Sequence, residues 1–162
     1  MTATYEKIYA TTLTGNESSV TFSSIPGTYT DLVLIQNSIA TSTDFNIWAR
    51  FNSDTGNNYS YTYIVGDGAG SGETGRSSNY SYMDAGGVNT SPATTAIFYI
   101  NNYSNTTTFK NLFSRVGSTS KVLGMYIGMW RSTSAITSVT TLASTSTFAS
   151  GSTFTLYGIK AE

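Results

Sequence analysis

The stretch whose reading decides the fold is SGSTFTLYGIKA, residues Ser150–Ala161. Ser150-Gly151-Ser152 has turn chemistry, and the residues after it alternate as a strand does. Phe154 and Leu156 fall on one face, with Tyr157 and Ile159 packing on the opposite side. Gly158 sits where the backbone is free to turn or bulge. Chain ends fray unless something ties them down. Strand formers carried this far predict a structural member of a sheet, paired on at least one side.

Working outward, the same kind of segment recurs. SSVTF alternates through Val20 and Phe22, and DLVLI (Asp31–Ile35) is apolar on both faces, as a strand covered on both sides would be. FNIWARF puts Phe45, Ile47, Ala49 and Phe51 on one face and Asn46, Trp48 and Arg50 on the other. NYSYTYIV alternates through Tyr59, Tyr61, Tyr63 and Val65; TAIFYI, FKNLFSRV and KVLGMYIGMW (Lys121–Trp130) continue the pattern. AITSVTTL comes nearest to a helical period, but its threonines make it a poor helix, so it reads as an irregular strand. Gly66–Gly87 concentrates glycine and serine and reads as a long, partly ordered loop excursion. No linker divides the chain, which predicts a single domain over residues 1–162, either an all-β sandwich or a barrel.

Composition narrows the chemistry. A chain of 162 residues can bury roughly 68–70% of its unfolded surface, enough for a core without staples. There is no cysteine, so no disulfide and no thiolate metal site forms. There is no histidine, so neither a Ser-His-Asp nor a Cys-His nucleophile system can be assembled. These absences predict a protein that is not an enzyme and carries no cofactor. The net charge is −1, and Lys7, Arg50, Arg76, Lys110, Arg115, Lys121, Arg131 and Lys160 are scattered rather than clustered. Nucleic acid is therefore not an expected partner. Serine and threonine make up roughly a third of the residues against 10% charged ones, a surface of hydroxyls where ~25% charge is usual. MTATYEKIYATTL lacks a basic start followed by an apolar run, so no secretory signal is expected; no stretch approaches a membrane span.

Several stretches imitate chemical motifs. GSGETGRS (Gly70–Ser77) fits a phosphate-binding loop with Arg76 in place of lysine, but SSNYSYMDAGG after it cannot supply the required helix. NSDTGNNY (Asn52–Tyr59) is oxygen-rich like a calcium loop. A helix–loop–helix site would need glutamate where Tyr63 stands, and a hairpin turn through Asp54–Asn57 accounts for the same residues, so no metal site is expected. Asp31, Asp44, Asp54, Asp67, Glu73 and Asp84 could supply a carboxylate pair for glycoside hydrolysis, yet most lie beside turn residues, where aspartate caps the backbone. The aromatic set carries more. Tyr59, Tyr61 and Tyr63 share a strand face, and Tyr80 and Tyr82 follow the glycine region. Tyrosine buries area and keeps a polar tip, which suits a surface contacting sugars or protein; the favoured reading is that these rows fill a sandwich core with their hydroxyls at its rim.

SGSTFTLYGIKA also resembles the C-terminal strand of many small structural proteins of tailed bacteriophages. VTFSSIPGTYTDLVLI (Val20–Ile35), ARFNSDTGNNYSYTYI (Ala49–Ile64), NNYSNTTTFKNL (Asn101–Leu112) and MWRSTSAITSVTTL (Met129–Leu142) are similar to the same family in the same order. The resemblance implies an antiparallel β-sandwich of jelly-roll type exposed on a virion assembled in the bacterial host cytoplasm, with no catalytic residues to carry over. The resemblance does not fix the address on the virion, since similar domains serve as head decorations and as tail-fibre modules. The compact single-domain length favours a head decoration, or cement, subunit bound to the major capsid protein or other virion proteins and self-associating as a homotrimer; the alternative is a tail-fibre or receptor-binding module contacting host glycans.

Overall fold

A computed structural model describes residues 4–117 and 123–160. The first two residues of the expected strand Lys121–Trp130, and Ala161 of the tail stretch, lie outside the described residues. Period-two alternation is realised as twelve strands and no helix among the described residues. They are β1 (Tyr5–Thr12), β2 (Ser19–Phe22), β3 (Asp31–Ser38), β4 (Phe45–Phe51), β5 (Tyr59–Gly66) and β6 (Gly72–Tyr80), then β7 (Met83–Val88), β8 (Thr94–Asn101), β9 (Lys110–Gly117), β10 (Leu123–Trp130), β11 (Val139–Ala143) and β12 (Thr153–Ile159).

They form two antiparallel sheets, a large one in the order β1-β12-β3-β8-β9-β10-β5-β6 and a small one in the order β2-β11-β4-β7. The chain crosses repeatedly from one sheet to the other, and the fold is an all-β, jelly-roll-like sandwich. The core lies between the sheets. Leu32, Leu34, Phe98, Ile100, Phe154 and Leu156 of the large sheet are buried against Phe45, Ile47, Phe51, Met83 and Val139 of the small one. β7, at the small sheet's edge, packs over β9 and β10.

The tail strand is held more firmly than its sequence requires. β12 is paired on both sides, with β1 and with β3. Gly158 answers to a different cause from the one expected. It lies within the regular register, and a Cβ there would collide with the ring of Tyr29. The bulge at this end is on β1, between Lys7 and Tyr9.

Gly66–Gly87 is not a loop excursion. It folds as β6, paired along its length with β5, and β7, paired with β4; the true loop is the short turn around Asp67. The carboxylate of Asp67 closes that turn by accepting from the N–H groups of Ala69 and Ser71, at 2.8 and 3.1 Å. Glycine here serves close packing as well as turning. Gly86 has φ +138°, and a Cβ on it would overlap the side chain of Val116.

AITSVTTL is a strand only from Val139 onward. Before that, Asn52 holds the chain in a loop, donating to the carbonyl of Ala135 at 2.8 Å and accepting from the N–H groups of Thr137 and Ser138 at 2.8 and 3.1 Å. The buried Ile136 anchors the loop on the core.

Candidate functional site

The tyrosines singled out in the sequence divide among three environments. Tyr59 does not belong to a surface site. Its side chain is fully buried, stacked on Trp130 at 6.3 Å, and its hydroxyl donates to the carbonyls of Phe51 and Asp54 at 3.2 Å. Burial raises its phenol to about 12. As the first inward residue of β5, Tyr59 lies beneath the Asn52–Asn58 turn, where the sheets meet.

Further along β5, the inward face runs towards an open edge. Tyr61, Tyr80 and Tyr82 cluster there with a residue the sequence reading did not select, Trp48. Trp48 and Tyr82 stack at 3.9 Å with their planes 16° apart. Tyr61 stacks on Tyr82 at 6.4 Å, and Tyr80 meets both rings edge-on, at 5.8 and 5.3 Å. Burial raises the phenols of Tyr61 and Tyr82. Arg50, from the same face of β4, donates its Nε–H to the Ser81 carbonyl at 2.8 Å and fixes the turn carrying Tyr82.

Next to this cluster, a cleft of about 330 Å³ lies between β5–β6 and the β4–β7 edge; its lining includes Asn46, Tyr63, Glu73, Asp84, Asn89 and Tyr126. Asp84 stands directly across from Trp48 in the β4–β7 pairing. Its carboxylate accepts from Asn46 Nδ2 at 3.1 Å and from the Gly86 N–H at 3.3 Å. Desolvation outweighs those bonds and raises its pKa from 3.8 to about 6. Tyr63 donates its hydroxyl to Glu73 Oε1 at 2.8 Å and stacks on Tyr126 at 5.6 Å. The sequence placed Asp84 among turn-capping aspartates, but it is a buried strand residue. Asp31, Asp54 and Asp67 do bond backbone N–H groups in turns. Asp54 uses its other oxygen on Asn58 at 3.0 Å and on the Trp130 indole N–H at 2.6 Å, which agrees with the hairpin-turn reading of its loop. The phosphate-loop imitation is strand β6 and opens no helix.

The second surface is the outer face of the large sheet. Outward positions of β10 form an apolar row: Leu123 is 73% exposed, Met125 56%, Ile127 58% and Met129 43%, and Ile64 of β5, across from Met125, is 61% exposed. On the other side of β10, Ile127 neighbours Phe113, and Met125 neighbours Arg115. One shallow depression of about 660 Å³ is lined by Ile64, Ile97, Phe113, Arg115, Leu123 and Met125, among others. A second, of about 550 Å³, brings Arg76 beside Ile127 and Met129. The alternation in KVLGMYIGMW contains this row, but the sequence reading did not ask which of its faces was left uncovered.

No family model matches the chain, and no curated protein does. Among solved structures it is similar to an exo-inulinase from Aspergillus awamori, at 10% identity and TM-score 0.44, covering 96% of this chain and 29% of that one. This chain therefore spans under a third of the inulinase's length. It is also similar to the Caenorhabditis elegans galectin LEC-6, at 10% identity and TM-score 0.41, covering 94% and 96%. A third similar structure is a mutant of the alginate lyase Aly36B in complex with alginate tetrasaccharide, at 10% identity and TM-score 0.34, covering 98% and 75%.

Proposed function

We propose that this chain is a non-enzymatic structural protein of a tailed-phage virion, a decoration subunit that binds the major capsid protein through the outer face of its large sheet. The observation that carries this reading is the apolar row of β10 and Ile64. Soluble proteins rarely leave so continuous an apolar patch uncovered unless a partner takes it. Arg76 and Arg115 flank the apolar row and make its surroundings basic. Two copies placed face to face would oppose like charges, whereas a capsid surface with acidic groups around an apolar patch would complement them. Self-association as a homotrimer then uses other surfaces.

The test adds the purified protein to DNA-filled heads without tails and follows decoration by sedimentation and electron microscopy. The wild type should bind. Met125→Asp and Ile127→Asp should lose at least tenfold in affinity while melting at the wild-type temperature, since both side chains are exposed. Equal binding by the variants, or wild-type density on tail fibres rather than heads, overturns the reading. A tail-fibre placement is the second reading, and the aromatic cleft beside Asp84 is the observation in its favour.

A further inference from the structure

We infer that the cleft between β5–β6 and the β4–β7 edge is a saccharide-binding site selective for neutral, hydroxyl-rich sugars. The inference does not depend on where the subunit sits in a virion, because the cleft is separate from the exposed face of the large sheet.

A sugar presents hydroxyls around a ring and an apolar face of C–H groups. A site for it needs aromatic surface and a few fixed polar acceptors in a concave space. The cleft has each of these. Its volume of about 330 Å³ is at the small end of ligand pockets, the size of a glycan terminus rather than a flat protein contact. The Tyr63–Tyr126 pair lines its interior and supplies the aromatic wall; the Trp48–Tyr82 stack lies outside the lining, with Trp48 paired across from Asp84.

The acceptors are preorganised. Asp84 is only 6% exposed and is held by Asn46 and Gly86. Tyr63 fixes Glu73 on the facing wall. Each carboxylate keeps further lone pairs for ligand hydroxyls, and Asn46 and Asn89 add amide groups. These side chains come from β4, β6 and β7 and the loop after β7, so only the folded sandwich brings them together.

The charge pattern sets the selectivity. Glu73 and Asp84 line the cleft, and among the described residues no lysine or arginine does. A uronate, sialate or phosphorylated sugar would bring a like charge against these carboxylates and is rejected.

The experiment screens the full chain on an array of neutral oligosaccharides (glucans, mannans, galactans and N-acetylglucosamine oligomers) beside polygalacturonate and sialyl-lactose. The best neutral hit is then titrated calorimetrically. Binding should be confined to neutral probes. Tyr63→Ala and Glu73→Gln should each weaken it at least tenfold, and Met125→Asp should leave it unchanged. Glu73 is exposed, so Glu73→Gln stays interpretable if Tyr63→Ala fails to fold. No neutral probe bound at millimolar concentration, a preference for the anionic probes, or unchanged affinity in Glu73→Gln overturns the assignment.

Discussion

At the scale of single residues, Asp84 has the clearest energetic signature. A carboxyl whose folded pKa is raised from 3.8 to about 6 carries a charge penalty of roughly 3 kcal/mol above that range. The folded state holds its proton more tightly than the unfolded chain does. This contribution therefore improves as pH falls from above 6 towards 4, the reverse of ordinary acid denaturation. Asp54 and Asp67, whose carboxyls are lowered by hydrogen bonds that outweigh desolvation at Asp54, act in the opposite direction at more acid pH. They are common to wild type and variant, so a difference measurement cancels them. The stability of Asp84→Asn relative to wild type should rise by about 2 kcal/mol between pH 4.5 and 7.5, read from thermal melts. Parallel pH profiles would show that Asp84 does not titrate in this range. None of this was legible in MDAGG, where glycine neighbours suggested a turn. Burial of a carboxylate depends on which strands close over it, and a linear pattern does not carry that information.

At the scale of elements, β12 shows what alternation can fix. Spacing puts Phe154 and Leu156 on one face, and that face is the core face, with both fully buried. The same spacing groups Phe45, Ile47, Ala49 and Phe51, and all four are buried together. Removing Phe154–Lys160 takes away two core side chains and leaves β1 and β3 without their shared neighbour. The truncated chain should be insoluble or lack a cooperative melt, measured by circular dichroism; a soluble, cooperatively melting product would show the strand to be peripheral. β6 marks where alternation fails. It is an edge strand built from Gly, Ser, Thr, Asn, Glu and Arg with a single tyrosine, Tyr80, at its end, and none of its side chains is buried, so it presents no hydrophobic period to detect. Its signal was indirect. Tyr59–Gly66 reads as a strand, and the turn-forming DGAGS after it is short enough for a hairpin. Counting the strand that such a hairpin requires would have placed β6.

At the scale of the whole molecule, the two candidate surfaces occupy different regions of the sandwich and meet only at Val116, which lines both. The outer face belongs to β8, β9, β10 and outward positions of β5 and β6; the cleft belongs to their inward positions and to β4 and β7. Changes at separate, non-contacting sites add. The double variant Met125→Asp with Glu73→Gln should therefore show each single defect undiminished, one in head binding and one in sugar binding. Coupling of more than about 0.5 kcal/mol between them would mean the sheets transmit strain from one face to the other. The all-β character was legible because strand spacing recurs throughout the sequence. The cleft was not, because Asn46, Glu73, Asp84 and Tyr126 come from four strands, and only the pairing order of the sheets brings them together.

The place of β12 between β1 and β3 also bears on how the protein is made. Synthesis delivers β1 and β3 well before the strand that joins them. Until residues 153–159 leave the ribosome, two strands wait with unmatched backbone edges across an empty slot. Completion of the large sheet is thus coupled to translation of β12, and a nascent chain stalled before it would offer those edges to any neighbour able to fill the gap.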